Sequence, residues 1–249
     1  MSKDNLITEA FSELAPRYEN VVDTELSRFW GWRYGDFVDH LIEMTPMKHG
    51  DKILDVATGT TVIPRKIKDR LNTNTPIHGL DITPAMLMRA RKIIAKEYSQ
   101  DDFCLVCASG LSMPYRNDVF DVVICGLATH HMDARVMLSE MVRILRENGE
   151  LAIADVGGSM FWKLPGIKFI LRLIAFIYYI IHENVKRAWA EATAISNIQS
   201  VDEWYDLLVE VGFTNVSITR LRSKYIWIPK PVLIRASKDT FGGENGPNK

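Results

Sequence analysis

The stretch KILDVATGTT at residues 52–61 decides the fold: an apolar run ends in Asp55, and a loop of small residues (Ala57, Thr58, Gly59, Thr60) leads into a helical pattern. Small residues let a ligand approach backbone closely. In an open α/β sheet the carboxyl end of the first strand is the crevice where nucleotide-like ligands sit. Working outward, short β-branched runs alternate with longer helical patterns. Strands are expected at 53–57, 77–81, 103–108, 119–125 and 151–156, with helices at 62–71, 84–97 and 134–146 between them. That alternation predicts α/β architecture, a Rossmann-like, mostly parallel sheet with helices on both faces.

Arg146-Glu147-Asn148-Gly149 is expected to stop the 134–146 helix through a left-handed Asn or Gly, just before the next strand. Farther on, Trp204, Leu207, Leu208 and Val211 repeat at helical spacing and Gly212 ends the repeat. Runs at 216–220 and 225–236 complete a seven-stranded sheet as an antiparallel edge pair with a short, hairpin-like connection. One domain over 1–238 is expected: a helical N-terminal lid (1–50), the cofactor-binding core (51–156), an apolar helical insertion (157–200) and a final helix with two strands (201–238). The Gly-, Asn- and Pro-rich tail at 239–249 is expected to be disordered.

Composition narrows the function. A chain of 249 residues with 47% hydrophobic residues folds around a sizeable core. Its 30 Lys and Arg are balanced by 31 Asp and Glu, which argues against nucleic acid, because phosphate contacts call for a basic excess. Three cysteines and no charged-then-apolar leader in 1–13 point to a reduced, cytoplasmic setting. Cys104 and Cys107 have zinc-like spacing, but they fall in a strand expected to be buried and lack a second ligand pair, so no metal is expected. The run FWKLPGIKFILRLIAFIYYII (161–181) is about as long as a membrane span. Lys163, Lys168, Arg172 and the Pro165-Gly166 break argue against spanning.

A second carboxylate sharpens the site. In HGLDITP (78–84), Asp81 ends the next strand, placed to accept hydrogen bonds from ribose hydroxyls. Dinucleotide sites share this acid, but their pyrophosphate loop needs glycines where Ala57, Thr58 and Thr60 stand. A cofactor without phosphate fits this loop better.

Together with ASGLSMP (108–114), FDVVICGLATHH (120–131) and RILRENGEL (143–151), these segments resemble the ordered motifs of class I S-adenosylmethionine-dependent methyltransferases, in the broad group that includes the ubiquinone/menaquinone C-methyltransferases. The resemblance covers roughly 50–156 and implies S-adenosylmethionine as cofactor, with S-adenosylhomocysteine as product. Carried onto this sequence, it implies that Asp55 and the backbone of Ala57, Thr58 and Gly59 hold the methionine amino and carboxylate groups, and that Asp81 binds the ribose. Ile82 and Met86 would pack on the adenine, Ser109 and Gly110 meet its edge, and backbone at Cys125 and Leu127 face the sulfonium. FSELAPRYE (11–19) is similar to a lid segment of the quinone enzymes, which implies that Tyr18 lies over the cofactor. The sequence departs from the pattern at Ala57 and Thr61, where glycines are usual, and at Ser109, where an aspartate is. LATHH (127–131) stands where the quinone enzymes carry an Arg-Asn pair.

Methyl transfer from a sulfonium is an in-line displacement that needs alignment and exclusion of water more than side-chain chemistry. A phenolic, hydroxyl or enolisable acceptor gains from a base near neutral pH, and His131 and His130 follow the fourth strand directly. Both are catalytic candidates; capping and packing of the next helix is the plainer account. On a continuous helix, Lys168, Arg172, Tyr179, Glu183 and Lys186 fall on one stripe and leave the remaining circumference apolar. Three readings of the insertion stay open: a lid over an apolar acceptor pocket, peripheral membrane or lipid contact through 161–181, and a core or homodimer helix. The expected activity is methylation of carbon or oxygen on a small-to-medium apolar acceptor, aromatic or isoprenoid-bearing. Phospholipid headgroup N-methylation at a membrane surface and cofactor binding without transfer are the alternatives.

Overall fold

The computed structural model describes residues 3–158, 162, 166–225 and 228–239. The sheet is built from β1 (Ile53–Val56), β2 (Ile77–Asp81), β3 (Phe103–Cys107), β4 (Phe120–Gly126), β5 (Leu145–Val156), β6 (Phe213–Arg220) and β7 (Pro231–Lys238), in the spatial order β3-β2-β1-β4-β5-β7-β6. The pairs from β3 to β5 are parallel, and β7 runs antiparallel to both β5 and β6. The order reverses between β1 and β4, so the crevice opens at their carboxyl ends.

Alternation along the strands assigns the two faces. Leu54, Val56, Val123, Cys125, Leu151 and Ile153 pack on α6 (Ala134–Ile144) and α9 (Val201–Glu210) through Met137, Leu138, Met141, Trp204 and Leu208. Ile53, Val122, Ile124, Ala152 and Ala154 face the other way, onto α3 (Tyr34–Met44) and α4 (Val62–Leu71). Helix α5 (Pro84–Glu97) connects β2 to β3, with Pro84 at its first turn as the sequence suggests. Two N-terminal helices, α1 (Lys3–Leu14) and α2 (Tyr18–Phe29), cover the crevice together with α7 (Ile167–His182) and α8 (Val185–Ala194).

Several expectations are corrected. Strand β3 lies at the sheet edge and leaves Cys104 and Cys107 exposed, where a buried strand was expected. Helix α6 stops at Ile144, and Leu145 already pairs with Phe120; Asn148 does take the left-handed conformation, at φ 58°, but inside the irregularity that carries β5 from that pairing to Glu150 opposite Val122. Gly212, at φ 103°, ends α9 as expected. The last strand starts at Pro231, so no short hairpin joins it to β6. The connection is held against the N-terminal lid instead: the indole N–H groups of Trp30 and Trp32 donate to the carbonyls of Pro229 and Arg222, both at 2.8 Å.

The basic stripe on one long insertion helix also breaks, because α7 ends at His182 and Lys186 belongs to α8. Lys168 donates to the Ser196 carbonyl, Glu183 pairs with Arg17, and Lys186 pairs with Glu9 and Glu13. No described helix is long and apolar enough to cross a membrane. Residues 161 and 163–165 of the apolar run, 226–227 of the expected last strand and 240–249 of the expected tail lie outside the described residues.

Candidate active site

Two chambers open side by side at the carboxyl ends of β1, β2 and β4. The first is bordered by Ala57, Gly59, Asp81, Ile82, Met86, Ser109, Gly110 and Leu127, with Tyr18 and Phe11 of the N-terminal lid above. The sequence-derived cofactor residues therefore converge, except that Asp55, Thr58 and Cys125 do not line the chamber.

The loop after β1 is shaped by its backbone. Ala57 and Thr61 take left-handed conformations at φ 57° and 66°, as does Leu127 at φ 56° after β4. A β-branched residue in that region carries strain on the order of 1–3 kcal/mol, so Thr61 sits where glycine would be relaxed. Across the chamber a side chain at Gly110 would meet the Met132 sulfur at 2.9 Å, so the floor there has to be backbone.

Asp81 braces this loop. Its Oδ2 accepts the Gly59 N–H at 2.8 Å and its Oδ1 the Thr83 N–H at 2.7 Å. Each carboxylate oxygen has two lone pairs, so acceptor capacity remains toward the chamber. Burial raises the pKa of Asp81, with these backbone donors opposing the rise. Asp55 is different: it is 1% exposed, and neither oxygen accepts a well-formed hydrogen bond among the described residues. Burial pushes its carboxyl up to about 8, opposed by the Thr58 hydroxyl and reinforced by Asp81.

The second chamber lies under α2, α7 and α8 and is lined by Val22, Leu26, Phe29, Trp30, Val156 and Tyr179, with His130, Glu25, Arg187 and Glu191 set into that apolar wall. Phe11, Tyr18, Leu127 and His131 border both chambers. His130 and His131 form one turn after β4, with ring centroids 4.3 Å apart. Asp155, 0% exposed near the end of β5, holds His130: its Oδ1 lies 2.6 Å from Nδ1, and its Oδ2 accepts the His130 backbone N–H at 3.1 Å and the Thr129 hydroxyl. Burial disfavours the imidazolium, but Asp155 outweighs it and His130 is raised above its ordinary value; the same pairing lowers Asp155 against its own burial. His131 stacks edge-on against Phe11 with its Nε2 3.6 Å from Glu191.

Residues 1–224 match the family model described as the ubiE/COQ5 methyltransferase family. The chain belongs to that family. It is 26% identical over 153 residues to 2-phytyl-1,4-naphtoquinone methyltransferase of Nostoc sp., a match covering 61% of this chain and 65% of the relative, so just under two thirds of that relative's length is spanned. It is 23% identical over 224 residues to demethylmenaquinone methyltransferase of Anoxybacillus flavithermus, covering 87% of this chain and 91% of that one. Among solved structures, the fold resembles geranyl diphosphate C-methyltransferase from Streptomyces coelicolor, in complex with Mg2+, geranyl diphosphate and S-adenosyl-L-homocysteine. The TM-score is 0.65 at 14% identity, covering 89% of this chain and 84% of the other.

In this ubiE/COQ5 family member, sequence reasoning missed Asp155, Glu25, Arg187 and Glu191. Asp155 and Glu25 lie far in sequence from the residues they meet, whereas Arg187 and Glu191 stand four residues apart on α8, a pairing the sequence did offer as a signal. One atom each of His130, His131 and Glu191 lie within 4.8 Å of one another, a spacing that a metal ion can use. Arg187 already brings a positive charge to 3.0 Å from Glu191, which opposes a second cation there. His182, a further histidine of the insertion, stacks on Tyr178 at 4.3 Å and lines neither chamber.

Proposed function

We propose that this chain is an S-adenosylmethionine-dependent methyltransferase that methylates a ring carbon of an apolar, prenylated quinol-type acceptor. The observation that carries the reading is the shared border of Phe11, Tyr18, Leu127 and His131, where a donor in the first chamber and an acceptor in the second would meet. The relatives named above act on prenylated naphthoquinones by their names, and the second chamber is largely apolar and aromatic.

The residues of the first chamber fit the cofactor. Asp81 keeps acceptor capacity at the β2 end, Ile82 and Met86 give the wall an apolar side, and behind the lining Asp55 is a buried carboxylate without a well-formed hydrogen bond among the described residues. Bound there, the cofactor supplies a methyl group on an already activated leaving group. The chain's own residues do the rest. Tyr18, Phe11 and the lid exclude water, and Leu127, in a left-handed conformation, stands at the border of the two chambers.

His130 is the base in this reading. Asp155 accepts its Nδ1 proton, an assignment from the hydrogen-bond network, which leaves Nε2 as a proton acceptor. Removing a proton from a ring hydroxyl makes the neighbouring ring carbon nucleophilic. His131, at the border, shapes the passage.

Transfer of labelled methyl from S-adenosylmethionine to 2-prenyl-1,4-naphthohydroquinone, with the label recovered on ring carbon, is the expected result. Label on oxygen, or no transfer by folded protein that binds the cofactor, would sink the carbon-acceptor reading.

A further inference from the structure

Arg187, in the first turn of α8, is 5% exposed and forms part of the wall of the second chamber. Its guanidinium carbon lies over two rings, 4.8 Å from the centroid of Phe11 and 5.5 Å from that of Tyr179. Nη2 pairs with Glu191 at 3.0 Å and lies 3.6 Å from Glu25. Nε and Nη1 meet no hydrogen-bond partner among the described residues.

A structural ion pair does not account for this arrangement. Buried arginines in folded chains satisfy their N–H groups on carboxylates or backbone carbonyls, and each buried donor left without a partner costs about 1–3 kcal/mol. The N–H donors of a guanidinium lie in its own plane, so Nε and Nη1 offer donors of fixed direction. Glu25 is too distant to satisfy them, and Glu191 meets Nη2 alone. The wall thus keeps two directed donors, beside His130, Glu25 and Glu191, facing a largely apolar and aromatic space.

We propose that Arg187 orients the acceptor, its Nε–H and Nη1–H groups donating to an oxygen carried on the ring that is methylated. The inference rests on the methyl-transfer reading above and adds a specificity determinant to it: a ring oxygen is required for binding, apart from its part in the chemistry. An acceptor lacking that oxygen would leave the same donors buried without partners, which is how polar sites reject otherwise similar molecules.

The test uses the full chain saturated with S-adenosylhomocysteine and measures binding by anaerobic equilibrium dialysis. The probes are 2-prenyl-1,4-naphthohydroquinone and 2-prenylnaphthalene, which share a hydrocarbon frame and differ in the two oxygens. Wild type is expected to prefer the hydroquinone by at least about tenfold, a typical value for a hydrogen bond to a charged group. Arg187→Met should cut that preference at least severalfold, leaving the part that His130 supplies, with hydrocarbon affinity within about twofold, and Arg187→Lys should recover part of the loss. Equal weakening of both probes would show a merely structural arginine and overturn the proposal, as would an undiminished preference in Arg187→Met. If Arg187→Met does not fold, the same ratio is read from Arg187→Lys, where an unchanged preference overturns it. Binding of neither probe by wild type also overturns it. A wild type that binds no S-adenosylhomocysteine instead defeats the underlying methyl-transfer reading.

Discussion

Nδ1 of His130 lies 2.6 Å from Oδ1 of Asp155, a buried carboxylate at the far end of β5 that also fixes the His130 backbone N–H. The pairing raises His130 above its ordinary 6.5 and lowers Asp155 below its ordinary 3.8. Turnover should therefore rise with pH as His130 loses its proton, with a midpoint above 6.5. Asp155→Asn should move that midpoint toward acid and lower the plateau by about tenfold to hundredfold. A pH–kcat profile checks both, and an unmoved midpoint removes His130 as the base.

The same pair predicts a stability window. Asp155, with a lowered pKa, contributes stability above about 3.8 that is lost in acid; His130, with a raised pKa, contributes stability below 6.5 that is lost as pH climbs through its folded value. The stability difference between wild type and Asp155→Asn should be largest around pH 5–6. Urea denaturation across pH would show this, and a difference constant from pH 4 to 9 would contradict the ion pair.

Asp55 has the opposite sign. A carboxyl raised from 3.8 to about 8 on folding keeps its proton longer in the native state, so stability falls as pH rises between those values. Asp55→Asn should raise the melting temperature of the cofactor-free protein at pH 8 by at least about 2–4 °C, the effect of ~1 kcal/mol in a chain of this size, and change it little at pH 4. S-Adenosylhomocysteine affinity should fall in the same variant. A variant no more stable at pH 8 would show that Asp55 has a partner.

The lid buries Leu14, Val22, Leu26 and Trp30, and charge pairs add to that packing: Arg17 to Glu183, and Lys186 to Glu9 and Glu13. The exposed Lys186 pairs are worth about 0–1 kcal/mol each, enough to tune opening but not to set the fold's stability. Lys186→Glu should speed cofactor dissociation in stopped flow and change global stability by less than about 1 kcal/mol. An unchanged dissociation rate would place the gate elsewhere.

Helix α7 exposes Phe169, Ile170, Leu173, Ile174, Ile177 and Ile181 along one side, with Lys168 and Arg172 beside them. Such a helix suits the surface of an anionic bilayer. Co-sedimentation with phosphatidylglycerol-containing vesicles is expected, and loss of it in the Ile174→Glu, Ile177→Glu double variant. No sedimentation of wild type would exclude this contact.

The parallel core and most of the first chamber were legible because their signals are local: strand, small-residue loop and acid follow one another within a few residues, as at Asp55–Gly59 and Asp81–Pro84. The second chamber was not. Asp155 reaches His130 across neighbouring strands, and Arg187 and Glu191 arrive from an insertion whose break at Glu183 no periodicity announced. The late start of β7 has a similar cause, since Trp30 and Trp32 bind the carbonyls of Pro229 and Arg222 from far away in the chain.

The most direct test of the central claim is calorimetric titration of the full chain and of Asp81→Ala with S-adenosylhomocysteine. Micromolar binding by wild type, weakened by about 1–3 kcal/mol in the variant, is the predicted result. Absence of binding by folded wild type, or equal affinity in Asp81→Ala, would contradict the assignment of the first chamber to the cofactor.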